Sequence, residues 1–219
     1  MSEKQNLSET VYQVLLEKIL RQEIACGEKI PVEALAREMG ISRTPFVEAL
    51  ARLEKSGLVK VNPRRSAEVV VFDERSIQDL GIVRIAVDTI AVQLAIQYGS
   101  NADFERLTRV ARECYRVAQE GDVYEWIRNE CEFHLGLARI GGNINLIHIM
   151  EDLYLKIRLL QFVIYKKNEI SLQMIELHFD MIEELKKRNI DGTIAYLYRH
   201  LGYFYNLDPS RLKTAMIAF

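Results

Sequence analysis

The residues best suited to chemistry in this chain are its histidines, which all lie in the second half of the sequence. Four are present, His134, His148, His178 and His200. His134 follows Glu130 by four positions, so on a helix the two side chains would lie on one face. The surrounding stretches predict helices with apolar inward faces, where an unpaired imidazole or carboxylate is costly. A single divalent metal ion would satisfy several of these groups together, which makes metal binding one hypothesis for them.

Other interpretations of these residues stay open. A histidine taken alone is more often a structural or surface residue than a metal ligand. An all-helical metalloenzyme, with Glu130 or another carboxylate as general base, is an alternative, although no separate acid–base motif accompanies the histidines.

The three cysteines, Cys26, Cys114 and Cys131, are odd in number and lack paired spacing, which argues against a disulfide framework or a cysteine-based zinc site. We expect buried free thiols.

Long helices are predicted to carry the histidines. Three of the four prolines precede residue 64, so the chain from about residue 75 to 207 can run as helix. Breaks rich in glycine and asparagine divide it into helices over 74–98, 102–119, 122–140, 143–167, 169–188 and 190–206. The short loops between them favour antiparallel packing into an all-α bundle.

Residues 1–73 predict a different architecture. Apolar residues recur at helical spacing in three short stretches that end before Gly27, Gly40 and Gly57. Two β-rich runs then flank an Asn-Pro-Arg-Arg-Ser turn at 62–66, which is typical of a hairpin. The predicted fold is therefore mainly α: an N-terminal winged helix-turn-helix domain (1–73) followed by a helical effector-binding and dimerisation domain (74–219).

The segment 35–50 has the pattern of a helix-turn-helix, with a helix ending at Gly40 and a second one opened by hydroxyls and Pro45. The hydroxyl of Ser42 or Thr44 is predicted to cap that second helix, and Pro45 suits its first turn. Its N-terminal amides suit a phosphate, and Arg43 can reach a phosphate or a guanine edge.

The overall charge of −2 gives no support for DNA binding, so the prediction depends on a local basic patch. A helix-glycine-helix turn also occurs in domains that bind no nucleic acid, but the basic hairpin tip makes this less probable here. The predicted DNA-contacting residues are Arg43, Thr44, Pro45, Arg52, Lys55, Arg64 and Arg65.

Residues 7–72 resemble the GntR family of bacterial transcriptional regulators. The matching segments include Gly27-Glu-Lys-Ile30, Gly40-Ile-Ser-Arg-Thr-Pro45 and Glu48-Ala-Leu50. The helical remainder resembles the FadR-like subgroup, which has an FCD-type effector domain. This resemblance implies a ligand-responsive regulator, more commonly a repressor, that binds operator DNA as a homodimer. Val47 stands where the family usually has arginine, and Ser66 where it usually has glycine, so the preferred operator is expected to differ.

The same resemblance implies a metal site made by a carboxylate four residues before a Phe-His pair, by that histidine and by two later histidines. Phe133-His134, His178 and His200 match, and Glu130 takes the position that is usually aspartate. Zinc is the expected ion, with nickel or manganese as alternatives. A small carboxylate effector is expected to pair with Arg84. A regulator whose helical half binds no metal is the remaining alternative.

No N-terminal stretch combines a basic head with an apolar run, and no apolar run approaches the roughly 20 residues of a membrane helix. We therefore expect a cytoplasmic protein with no membrane partner.

Overall fold

The computed structural model describes residues 3–62, 66–166 and 170–205. The described elements are mostly helical, with a small hairpin after the first helices, which confirms the predicted fold class. In chain order they are α1 (Glu3–Leu20), α2 (Val32–Glu38), α3 (Thr44–Lys55), β1 (Val59–Val61), β2 (Ala67–Val69), α4 (Glu74–Tyr98), α5 (Asn101–Gln119), α6 (Val123–Gly141), α7 (Ile144–Tyr165), α8 (Leu172–Lys186) and α9 (Ile190–Tyr205).

The chain divides into two compact units. The first contains Met1–Val71 together with Leu155–Val163 of α7, and the second contains Phe72–Tyr154 and Ile164–Phe219. The division between residues 71 and 72 lies close to the boundary that the sequence predicts after residue 73, and that boundary stays a prediction.

The core of the first unit is formed where α1 packs on α3. Its apolar side chains are fully buried, as shown by Leu15, Ile19, Phe46 and Leu53. The turn between α2 and α3 uses Gly40 in the left-handed region, at φ +66°, which glycine adopts without the steric cost of a Cβ. This short turn sets α3 directly after α2, as a helix-turn-helix requires.

The start of α3 differs from the sequence prediction. The residue that precedes the helix is Arg43, and no side chain accepts a capping hydrogen bond there. The prediction that Ser42 or Thr44 caps the helix is therefore wrong, whereas Pro45 does lie in the first turn as expected. The fixed φ of proline orders this turn without a capping side chain.

The wing is an antiparallel hairpin in which Val59, Lys60 and Val61 pair with Val69, Glu68 and Ala67. The segment 27–30 adds to its other edge: the amide of Gly27 donates to the carbonyl of Val69 at 2.9 Å, and that of Ile30 to Ala67 at 2.8 Å. The hairpin tip at 63–65, which contains Arg64 and Arg65, lies outside the described residues.

The second unit is a helical bundle in which α4 packs against α6 and α9, while α5 packs against α6 and α8. Local capping sets several of its helix starts. Asp73 and Ser76 form a reciprocal capping box at α4, and Ser100 and Asp103 form one at α5. The observed helices begin and end within a few residues of the predicted ones because such signals are local.

Two further expectations concern the thiols and membranes. All three cysteines are free, and Cys114 and Cys131 are buried as predicted, but Cys26 is only half-buried. No helix among the described residues is long and apolar enough to cross a membrane.

Candidate functional site

The predicted metal ligands come together inside the second unit. Glu130 and His134 lie one turn apart on α6, His178 comes from α8 and His200 from α9. One ligand atom from each of the four lies within 4.8 Å of the others. The relative exposure of these side chains ranges from 0% to 7%, so solvent does not satisfy them.

Hydrogen-bond partners fix the tautomer of two of these histidines. The Nδ1 of His134 lies 3.0 Å from the carboxylate of Asp88, and the Nδ1 of His200 lies 2.9 Å from the carbonyl oxygen of Met174. Both partners accept hydrogen bonds, so each Nδ1 carries the proton in a neutral imidazole. The lone pair of each Nε2 then faces the centre of the cluster.

The centre of the cluster consequently brings hydrogen-bond acceptors together with no donor between them. Glu130 Oε1 lies 2.8 Å from His200 Nε2 and 3.3 Å from His134 Nε2, and the two Nε2 atoms are 3.4 Å apart. Three lone pairs this close repel one another unless a proton or a metal ion lies among them. The donor set, three imidazoles and one carboxylate, is one that zinc and related transition metals prefer.

The atoms that lack a partner favour a metal ion over protons. Among the described residues, Glu130 Oε2 and both ring nitrogens of His178 are buried without a hydrogen bond, although His178 Nε2 lies only 3.2 Å from Glu130 Oε2. Burial holds the pKa of His178 well below its usual value, so protonation of this ring is unfavourable. The ring is thus neutral, and neither of its nitrogens has a hydrogen-bond partner among the described residues.

Neighbouring groups shift the pKa values of Glu130 and His134 in opposite directions. Burial by itself would raise the pKa of Glu130, but the surrounding imidazoles, first among them His200, bring it well below its usual value. Burial would likewise lower the pKa of His134, but the Asp88 carboxylate raises it above its usual value. The carboxylate therefore stays ionised at the centre of the cluster.

Arg84 lies beside this cluster, on α4, with 1% exposure. Its Nη2 donates to Glu130 Oε1 at 3.4 Å, its Nη1 to the Tyr205 hydroxyl at 3.3 Å and its Nε to the Tyr154 hydroxyl at 3.3 Å. Its Nε also lies 3.5 Å from Asp88. The arginine expected to meet an effector is thus adjacent to the proposed metal ligands, and buried neighbours occupy it.

Sequence reasoning missed three partners in this site. Asp88 received no role, although its spacing of four residues from Arg84 on one helix was an available signal. Tyr154 donates to Asp88 at 2.8 Å from α7, and Tyr205 reaches Arg84 from the end of α9. Neither tyrosine has a spacing relation to the residue that it contacts. His148, which matched no pattern, is exposed on α7.

The predicted DNA-contacting residues occupy different environments on α3. Arg43 and Thr44 are exposed at its start, and Lys55 is exposed at its end. The guanidinium of Arg43 pairs with Glu33 at 2.8 Å, and both side chains are about two-thirds exposed. An ion pair this exposed contributes little stability, so Arg43 is available to another partner.

Two of the predicted contacts are engaged within the first unit, although the Arg52 side chain is 48% exposed. Pro45 is buried in the first unit, so its side chain does not reach solvent. The guanidinium of Arg52 donates to Glu9 at 2.6 Å and lies 3.8 Å from the centre of the Tyr12 ring, both on α1. These contacts favour a structural role for Arg52 in holding α1 against α3.

Comparisons with known proteins agree on both halves of the chain. Residues 7–69 match the model of bacterial regulatory proteins of the gntR family, and residues 79–203 match the FCD domain. The regulator YdhC of Bacillus subtilis is 26% identical over 92% of this chain and 89% of its own length. The transcriptional repressor NanR of Cronobacter sakazakii is 28% identical over 91% of this chain and 84% of its own length.

Solved structures show the same fold. Escherichia coli McbR/YncC superposes with a TM-score of 0.80 at 20% identity, over 94% of this chain and 97% of its own. A GntR-type regulator from Rhodococcus gives a TM-score of 0.78 at 17% identity, over 97% of this chain and 98% of its own.

Proposed function

The chain belongs to the GntR family of bacterial regulatory proteins and carries an FCD domain, and from this premise we propose that it is a repressor whose helical domain senses a small organic acid through a bound divalent metal ion. Its general role is that of a DNA-binding transcriptional regulator. It is not an enzyme, because the family and its relatives are transcriptional regulators. Repression is proposed because the NanR relative is a repressor.

The metal proposal is carried by the orphaned atoms of the histidine cluster. His178 has two buried ring nitrogens without a hydrogen bond among the described residues, and Glu130 Oε2 is in the same state. Leaving such groups unpaired in the interior costs about 1–3 kcal/mol each. Glu130, His134, His178 and His200 together fit a transition metal, of which zinc is our first candidate, with nickel or manganese as alternatives.

We propose Arg84 as the anchor for the effector carboxylate. Its guanidinium lies within 3.4 Å of Glu130, so a carboxylate bound there would also be next to the metal ligands. When bound, the metal would supply open coordination positions to the same carboxylate. Arg84 would orient the acid through charge-assisted hydrogen bonds, while burial of the site would exclude water.

We propose that the regulator binds a palindromic operator as a homodimer and acts in the cytoplasm. A two-fold pair of α3 helices would contact two half-sites through Arg43, Thr44 and Lys55, with the wing on the flanking backbone. Effector binding would shift the population of dimer geometries and thereby the separation of the two α3 helices. Release from the operator is the expected outcome.

Metal analysis of protein purified without chelator tests the central proposal. We expect a stoichiometric divalent ion, and removal of that ion should lower the melting temperature because the ion binds only the folded chain. Replacing His178 with alanine should abolish retention of the ion, whereas the His148→Ala variant, which alters an exposed histidine, should retain it.

The metal-free alternative makes the opposite prediction. If the wild-type protein binds no divalent ion from a zinc-buffered solution, and His178→Ala melts at the same temperature as wild type with or without zinc, the metal site is wrong. Specific binding to an operator selected from a random duplex pool would then still establish the regulator.

A further inference from the structure

The charges buried in the proposed effector site determine which net charge a ligand needs in order to neutralise the site. Among the buried residues of the described chain, Arg84 is the only arginine or lysine, and Asp88 and Glu130 are the only carboxylic acids. The three form one ion-paired group, in which the Arg84 guanidinium lies 3.4 Å from Glu130 and 3.5 Å from Asp88. One positive and two negative charges leave the site with a net charge of minus one.

The proposed metal reverses that sign. Histidines bind metals as neutral imidazoles, so a divalent ion brings the net charge of the site to plus one. A buried net charge is unfavourable, and a single negative charge on the ligand would neutralise it. A ligand with two negative charges would leave one of them buried without a partner. On the basis of the proposed function, we infer that the effector is a small monoanion, a monocarboxylate in preference to a dicarboxylate.

The contacts of Arg84 indicate where the monoanion binds. Glu130 is a proposed metal ligand, and Tyr154 donates to Asp88 at 2.8 Å, so both have a second function. Among the partners described above, Tyr205 is the neutral one without such a function, and it lies at the end of α9. A carboxylate makes a stronger bond to a guanidinium than a phenol does, so the ligand replaces the Tyr205 hydroxyl.

Tyr205 must then move as the ligand enters. Its ring packs on the backbone of Gly81, where an added Cβ would lie only 2.6 Å from the Tyr205 Cγ. The phenol therefore fills the space between Gly81 and Arg84. A ligand that reaches Arg84 Nη1 displaces the ring from this position.

The chain contains an internal reporter of that movement. The Tyr205 ring contacts Phe204 at 4.6 Å between centroids, Phe204 stacks on Tyr165 at 5.7 Å, and Tyr165 meets the edge of Trp126 at 4.6 Å. Trp126 is the only tryptophan in the sequence. Displacement of Tyr205 should thus change the fluorescence of this one residue.

Matched acids test the inference on the full-length, zinc-loaded protein. We would titrate butyrate against succinate and 2-hydroxybutyrate against malate, pairs with equal carbon number, and record Trp126 fluorescence and melting temperature. The monoanions should bind about tenfold or more tightly than the dianions, because the second carboxylate is buried unpaired. Butyramide, a neutral control of the same size, should not bind.

A variant tests the position. Tyr205→Phe keeps the ring but loses the competing hydroxyl, so it should bind the monoanions roughly two- to tenfold more tightly. Equal or tighter binding of succinate and malate overturns the inference. So does the absence of any change in Trp126 fluorescence and melting temperature with all four acids. Zinc content measured on the same samples separates this failure from failure of the proposed function, since a zinc-free protein refutes the metal site itself.

Discussion

At the scale of single residues, Asp88 decides which nitrogen of His134 is free to bind a metal. Its carboxylate accepts from His134 Nδ1 at 3.0 Å and from the Tyr154 hydroxyl at 2.8 Å. Burial would raise the pKa of Asp88, but His134 and Arg84 keep it below its usual value, so the group stays an acceptor. Asp88 therefore holds the imidazole in one tautomer and one orientation. Hydrogen-bond partners behind metal-binding histidines commonly have this effect.

The Asp88→Ala substitution should weaken metal binding about 10- to 100-fold, because His134 loses both its orientation and its fixed tautomer. Competition with a chromogenic chelator measures this affinity directly. Asp152→Ala, an exposed aspartate on α7, is the matched control and should bind the metal like wild type. An unchanged affinity in the Asp88 variant would mean that packing alone orients His134.

The sequence predicts part of this site and not the rest. Glu130 and His134 could be paired because four residues on a helix are a fixed geometry, and the later histidines followed from the resemblance. Tyr205 could not be assigned to Arg84, because that contact joins the start of the bundle to its last helix. Contacts of this kind depend on tertiary packing, which leaves no local spacing in the chain.

At the scale of elements, α3 presents a surface of mixed character. Arg43, Thr44 and Val47 are exposed along its first turns, with Val47 at 62%. Because valine at this position makes no hydrogen bond to a base, the proposed DNA-binding mode makes the specificity of the helix depend more heavily on Arg43. The Arg43 guanidinium pairs with Glu33 at 2.8 Å, and the exposure of this pair leaves the guanidinium accessible.

The Arg43→Ala substitution should weaken binding to the selected operator far more than binding to random duplex, by about 1–3 kcal/mol in excess. The reason is that a contact to a base edge carries sequence information, whereas a phosphate contact does not. Fluorescence anisotropy with both duplexes at one salt concentration measures the difference.

Glu33→Gln provides the control for this prediction. It removes the partner of Arg43 but keeps the guanidinium, so discrimination between the two duplexes should persist. Equal losses on both duplexes in Arg43→Ala would instead assign Arg43 to the DNA backbone.

The limits of the six bundle helices were predictable to within a few residues, because caps and glycine turns act locally. Arg52 shows which contacts such reasoning misses. Its place on the second helix of the pair predicts a contact with DNA, and its half-exposed guanidinium also pairs with Glu9 and stacks on Tyr12 of α1. The sequence does not show which neighbouring side chain a cation on a helix surface will contact.

At the scale of the whole molecule, the outward face of α4 is unusual for a surface helix. Val83, Ile90 and Tyr98 are 49%, 43% and 64% exposed. From residue 80 to residue 98 no exposed position carries a charge, since the two charged residues of this stretch, Arg84 and Asp88, are buried. An uncharged apolar stripe of this length supports the proposed homodimer, because such faces are found at interfaces.

One residue within α4 tests whether that stripe joins two copies. Ile90→Glu places a charge in the middle of the apolar face, so it should convert the proposed dimer to a monomer in analytical ultracentrifugation. It should also weaken operator binding by at least about tenfold, because two half-sites are then no longer bound together. Zinc content should stay at the wild-type level, because Ile90 is 43% exposed whereas the residues of the histidine cluster are buried. Ala102→Glu, which adds the same charge at an exposed position of α5, should remain dimeric. A dimeric Ile90→Glu protein that binds the operator like wild type would exclude α4 as the interface and assign the pairing of the α3 helices to another surface.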